Sequence, residues 1–210
     1  MESVAGESSA SDGTSLEHFG FLMLPGFSMI AFFYALEVLR MANEVGGADH
    51  YRWSIYSLDG APVVASGEIP VLPTQRLYPG HLPDVLLFCG GNRIPDVVDS
   101  EVRLTIQMLA ELGVPLGGIS LGAHALLSTG QLDGYRCSVD WKHRAAFHEM
   151  FPRARFVDDR FAIDRDRLTC TGGTASLDLM LNLIGARLGQ QLATKVSQAL
   201  ALQRLGGTAR

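Results

Sequence analysis

The residues of this chain best suited to chemistry lie in Gly118-Ile119-Ser120-Leu121-Gly122. The G-x-S-x-G spacing marks a nucleophile elbow, a sharp strand-to-helix turn that pushes its central side chain outward; the flanking glycines permit the strained backbone. An apolar run, Val114-Pro115-Leu116, leads in to the turn that opens at Gly117-Gly118, and Ala123-His124-Ala125-Leu126-Leu127 leads out as a helix. A serine hydroxyl at such a turn attacks only with a base in hydrogen-bond reach. A hydrolase built on this elbow needs an acid and then a histidine further along the chain. Asp140, Asp158 and Asp159 supply acids, but His143 and His148 share one expected helix and no histidine follows them. The expectation is therefore a ligand-binding turn rather than a working triad.

The surrounding candidates each carry two readings. Gly90-Gly91-Asn92 either turns the chain at a strand end or aims backbone N–H groups at the elbow, where they could hold a ligand carboxylate. His124 stands four residues after Ser120 and either reaches its hydroxyl or packs within the helix. Asp140 either caps the helix that starts at Trp141 or meets a cationic ligand. Trp141, with Phe27, is either core or an aromatic surface for a quaternary ammonium, which offers no hydrogen-bond donors. Cys89, Cys137 and Cys170 are widely spaced without a C-x-x-C, so neither a zinc site nor a disulfide framework is indicated, and no cofactor is expected.

The elements that must position these residues alternate. Phe19–Leu24 reads as a buried strand ending at Pro25-Gly26, and Ser28 can cap a helix running to about Asn43. This helix is apolar on more than one face, as one meeting a partner subunit would be. Strands follow at Tyr51–Leu58 and Asp84–Cys89, with a short hairpin (Val63–Ala65, Ile69–Val71) at a sheet edge, where Pro70 is tolerated. Ser100 caps a helix to Leu112. After the elbow come a turn at Leu132–Tyr135, a strand at Arg136–Val139 and a helix from Trp141 to Met150. Short strands near Phe156-Val157, Phe161–Ile163 and Leu168–Cys170 precede Gly172-Gly173-Thr174, which opens a helix to Leu188; a last helix spans Gln191 to Leu205. Alternating strands and helices give an α/β class, a doubly wound, mostly parallel sheet with helices on both faces.

A chain of 210 residues with 47% hydrophobic content suits one domain with a sizeable core. The net charge of -5 argues against a nucleic-acid surface within this chain. The first 16 residues, rich in Ser, Gly, Ala and acid, read as a disordered lead-in without the basic and apolar regions of a signal peptide. No apolar run is long enough to span a membrane. A reducing cytoplasm fits the cysteine usage.

Seven motifs in order resemble one family: Pro25-Gly26-Phe27-Ser28, Glu37–Asn43, Cys89-Gly90-Gly91, the elbow, Leu132–Tyr135, Asp140-Trp141 and Gly172–Ala175. Together they are similar to the amidotransferase-like sensor domain of AraC-family transcriptional regulators, a branch of the ThiJ/PfpI superfamily with a flavodoxin-like fold. The resemblance runs from about Phe19 to Leu205. Within that branch the motifs look like those of regulators of quaternary-amine catabolism, such as those answering glycine betaine or carnitine.

The resemblance implies a small-molecule effector, a homodimer, and DNA contact only through a C-terminal helix-turn-helix domain. It divides the chain into a lead-in at 1–16, a sensor domain at 17–205 and the start of a linker at 206–210, where a longer regulator would continue. Catalytic ThiJ/PfpI members carry a cysteine, a histidine and often a glutamate at positions that fall here on Ser120, Asp140 and Ala31. None of the three matches, so the resemblance implies a dismantled catalytic set. The expected ligand site comprises Ser120, Leu121, Gly90, Gly91, Asn92, Asp140, Trp141 and Phe27. The alternative is a ThiJ/PfpI-type hydrolase, amidase or hydratase using Ser120.

Overall fold

A computed structural model describes residues 16–91 and 98–200. In chain order the elements are β1 (His18–Met23), α1 (Met29–Gly46), β2 (Arg52–Ser57), β3 (Val63–Val64), β4 (Pro70–Val71), β5 (Gln75–Arg76), β6 (Val85–Cys89) and α2 (Ser100–Glu111). Then come β7 (Leu116–Ile119), α3 (Gly122–Ser128), β8 (Arg136–Cys137), α4 (Trp141–Met150), β9 (Arg155–Phe156), β10 (Phe161–Asp164), β11 (Arg167–Cys170), α5 (Ala175–Leu188) and α6 (Gln190–Ala199).

Seven strands form the main sheet in the order β10-β11-β7-β6-β1-β2-β5. All neighbours are parallel except β10 and β11, which form an antiparallel edge. Strand side chains alternate between the two faces, and the core divides accordingly. Phe19, Phe21, Met23, Val85, Leu87 and Ile119 pack under α1, α5 and α6. Leu22, Leu86, Phe88 and Leu116 pack under α2 and α3, with Phe147 of α4 joining them. The expected doubly wound α/β architecture is therefore present. Both faces of the central strands are dry, which is why those strands read as near-continuous apolar runs.

Several details differ from the sequence reading. Among the described residues β3 and β4 pair only with each other, so the expected hairpin is a separate ribbon rather than a sheet edge. The cap of α2 is Asp99, not Ser100; its carboxylate accepts the Val102 N–H at 2.9 Å. Ser28 stands at the N-cap of α1 without a side-chain capping bond. That helix runs past Asn43 to Gly46 and ends on Gly47 in the left-handed region. The elbow strand is the sharpest difference. Gly117 and Gly118, read as part of the turn, are strand residues of β7. A Cβ on Gly117 would meet Leu87 Cδ2 at 2.4 Å and the Leu168 carbonyl oxygen at 2.8 Å, so side-chain size rather than turning sets these positions.

Candidate functional site

Parallel strands send their carboxyl ends to one side of the sheet, and four of the following loops are tied together there. The Leu24 N–H donates to the Cys89 carbonyl, the Ser28 N–H to that of Gly90, the Gly90 N–H to that of Ile119 and the Ser120 N–H to that of Cys170. Phe27 and Gly91 form an isolated antiparallel bridge. The loops after β1, β6, β7 and β11 thus make one platform, in the place where open α/β sheets bind ligands.

Ser120 stands at its centre with φ at 56°, one of three non-glycine residues with positive φ among those described. Such a backbone costs a residue with a Cβ about 1–2 kcal/mol and persists where its surroundings impose it. Here the imposition is close packing: a Cβ on Gly122 would sit 1.8 Å from the Phe88 carbonyl oxygen, which admits only glycine after the turn. The elbow geometry expected from G-x-S-x-G is present.

A cavity of about 590 Å³ opens over the turn, lined by Ser120, Gly91, Asp140, Trp141, Arg144 and Asp158 among others. Four of the eight expected ligand residues (Ser120, Gly91, Asp140 and Trp141) therefore face one space. Phe27 does not: it is fully buried, edge-on to Phe32 at 5.7 Å. Leu121 points away into the core under α2 and α3, and Gly90 is buried beneath the elbow backbone. Asn92 lies outside the described residues. Ala31 is buried in α1, where its carbonyl accepts the Ser176 hydroxyl at 2.7 Å.

The polar groups decide what this space can do. Among the described residues, no side-chain hydrogen bond engages Ser120 Oγ, and no histidine lines the cavity. His124 packs against Phe147 and Phe151, with ring centroids 5.3 and 5.7 Å away. Among the described residues its Nδ1 has no hydrogen-bond partner, and burial pushes its pKa down, aided by Arg103 and His143. The packed reading of His124 holds. An imidazole packed on two phenyl rings and absent from the cavity wall is out of position to activate the elbow hydroxyl.

Asp140 caps α4, its Oδ1 accepting the Lys142 N–H at 2.9 Å, while also facing the cavity. Both readings of this residue are thus compatible. Among the described residues it has no ion-pair partner, whereas the other charged groups of the lining are paired. Arg144 pairs with Asp158, Arg136 with Asp159 at 3.4 Å, and Arg160 with Asp178 at 2.5 Å. Trp141 is exposed rather than core, at 76% of its surface.

Arg144, Arg160 and Ser66 also line the cavity without any signal in the sequence reading, as do Asp158, named there only as a spare acid, and Gly172, named only within a motif. Arg144 was findable: it lies four residues after Asp140 on an expected helix, which places both on one face. Ser66 was not, because the β3–β4 ribbon is tied to the platform by long-range backbone bonds, from the Ser66 N–H to the Phe27 carbonyl and from the Gly26 N–H to the Val64 carbonyl. The three cysteines are buried and unpaired, and burial raises their pKa values, to about 12 for Cys137 and about 11 for Cys170. A reactive thiol is not among the tools of this site.

Residues 19–186 match the model of the DJ-1/PfpI family. The chain is 40% identical over 186 residues to the HTH-type transcriptional regulator GbdR of Pseudomonas aeruginosa, covering 89% of this chain and 51% of that protein. It is 41% identical over 189 residues to the HTH-type transcriptional regulator CdhR of the same organism, covering 90% and 56% respectively. The chain thus spans about half the length of these curated relatives. The crystal structure of an AraC family transcriptional regulator from Pseudomonas putida matches with a TM-score of 0.80 at 34% identity, covering 88% of this chain and 99% of that one. Drosophila melanogaster DJ-1beta matches with a TM-score of 0.72 at 19% identity, a likeness of fold. With the family match covering most of its length, the chain belongs to the DJ-1/PfpI family, in a form similar to that carried by helix-turn-helix transcriptional regulators.

Proposed function

We propose that this chain is the non-catalytic effector-binding domain of an AraC-type transcriptional regulator, and that its ligand is a small cationic metabolite, a quaternary amine or amino-acid derivative. The observation that carries this reading is the composition of the cavity. The strained elbow is retained, yet its wall presents the Asp140 carboxylate and the exposed Trp141 ring, with His124 turned into the core. A carboxylate with an aromatic face suits a cation that lacks hydrogen-bond donors. Backbone around Gly91 and the Ser120 hydroxyl supply the remaining polar floor.

The regulator reading draws its support from the relatives, whose remaining length would hold the DNA-binding part. DNA contact, dimerisation and a cytoplasmic setting belong to that whole protein. Ile30 and Phe33 leave an apolar stripe on α1, at 56% and 45% exposure, that suits a second copy. Three unpaired cysteines agree with a reducing compartment. Among the described residues, no helix is long and apolar enough to cross a membrane.

Thermal-shift screening of quaternary amines, amino acids and polyamines tests the proposal, because a ligand that binds the folded state stabilises it by mass action. The competing hydrolase reading predicts ester or amide turnover that disappears in Ser120→Ala.

A further inference from the structure

The segment that carries α4 is clasped at its base and lightly held at its tip. β8 and β9 pair side by side, Arg136 with Arg155 and Cys137 with Phe156, and the Val157 N–H donates to the Cys137 carbonyl at 3.0 Å. The chain leaves and returns through this clasp, so α4 can lift as a local unit while the main sheet stays intact. Phe147 is the single buried residue of the helix. Its ring centroid lies 5.3 Å from that of His124 on α3, and Phe151, just past the helix, meets the same imidazole at 5.7 Å. Asp140, Trp141 and Arg144 bring this segment to the cavity wall.

His124 is thus the seat on which α4 rests, and its surroundings oppose a second proton on the ring. It is buried, and among the described residues its Nδ1 has no hydrogen-bond partner. The charged groups that act on it are Arg103 of α2, whose guanidinium donates to the Ser128 carbonyl at 2.8 Å, and His143 of α4, stacked on Phe147 at 5.7 Å. No carboxylate is among them. Asp140 faces the cavity, Asp133 pairs with Arg153, and Glu101, Glu111 and Glu149 are exposed. An imidazolium formed in this seat would be stripped of water and set beside like charge, whereas one uncovered by lifting α4 is hydrated. Acid therefore favours the lifted helix.

We infer that α4 is an acid-released flap on the cavity, docked while His124 is neutral and lifted when His124 takes a proton. The flap stands on this packing; that lifting it removes one wall of an effector site rests on the proposed function. Hydrogen exchange at pH 7.5 and pH 5.0, each corrected for the intrinsic chemical rate, tests it with α5 as the internal reference. In the wild type the Trp141–Met150 amides should exchange about fivefold or more faster relative to α5 at pH 5.0, under a ceiling of about thirtyfold for one histidine that titrates only when uncovered. His124→Phe, which keeps an aromatic ring in the seat and cannot be charged, should show no such rise. A level ratio in the wild type, or a rise that persists in His124→Phe, overturns the inference. Should His124→Phe fail to fold, Arg103→Gln carries the test: it removes the like charge and keeps a donor for the Ser128 carbonyl, so the acid response should shrink. An equal or larger response overturns the inference. Choline in excess separates the flap from the effector site, since a cation held at Asp140 and Trp141 should slow α4 exchange at both pH values. No slowing by choline, with the acid response intact, overturns the cationic effector site and leaves the flap standing.

Discussion

Gly172 lies directly against Ser120: a Cβ built on Gly172 would come within 2.8 Å of both Ser120 Cβ and Oγ. The loop that opens α5 is thereby fitted to the elbow, and the φ of 97° at Gly172 suits glycine alone. Gly172→Ala should lower stability by about 1–3 kcal/mol, combining left-handed strain with overpacking. It should also narrow the cavity floor. Chemical denaturation of the two proteins checks the first effect, and an unchanged midpoint would contradict the tight fit.

Ser120 offers a complementary test. Its backbone strain is independent of any chemistry its hydroxyl performs. Ser120→Gly should hold or raise stability, by up to about 1 kcal/mol, as left-handed strain is relieved against the greater entropy of glycine in the unfolded chain. Ser120→Ala keeps the strain and should leave the denaturation midpoint nearly unmoved. A large loss in Ser120→Gly would mean that the hydroxyl anchors the fold.

Phe147 is the buried residue of α4, the helix that brings Asp140, Trp141 and Arg144 to the cavity. It is wedged between His124, His143 and Phe151. Phe147→Ala should destabilise the protein by about 3 kcal/mol and free the helix from the sheet. Hydrogen exchange across Trp141–Met150 should rise more than in α5. Uniform loss of protection across the chain would assign Phe147 to the general core instead.

Stability should fall as pH is lowered. His18 and His124 are both buried with depressed pKa values, chiefly through desolvation, and each has an Nδ1 without a partner among the described residues. At His18 the Arg52 charge adds to the depression and Asp84 opposes it. Because these folded-state values lie below the ordinary 6.5, only the unfolded chain gains protons as pH drops through that value. Urea midpoints should be level above neutrality and decline below about pH 6.5. The decline should be shallower in His124→Phe, and a midpoint that rises on acidification would contradict the assignment.

The three thiols should be inert in the folded protein. Burial pushes Cys137 to about 12 and Cys170 to about 11, with Cys89 raised further. Alkylation by iodoacetamide at pH 8 should therefore wait on unfolding, since the thiolate is the reactive species. Fast labelling of one cysteine without denaturant would show an opening absent from this fold.

How far the sequence reading reached depended on the physical signal each element carries. β1 and β6 are dry on both faces and so appear as apolar runs, while α4 announced itself through Asp140 as its cap. Gln75–Arg76 joins the sheet as β5 with polar side chains and two residues of pairing, a signal no periodicity can carry. The elbow was legible because glycine is required around it, yet Gly117 and Gly118 were read as turn when they are strand. A glycine needed for close approach looks the same in sequence as one needed for a bend. Within the site, Asp140 and Trp141 could be placed through helix capping. Ser66 and Asp158 come from segments joined to the platform only by tertiary contacts.

In the proposed function the elbow floors a binding site for a cationic effector. The most direct measurement is calorimetric titration of a quaternary ammonium compound into the wild-type chain and into Asp140→Ala. Binding to the wild type should be saturable and one-to-one, and should weaken at least tenfold in the variant, about 1.4 kcal/mol or more, because the cavity loses a carboxylate that has no ion-pair partner among the described residues. Equal affinity for both proteins would contradict it.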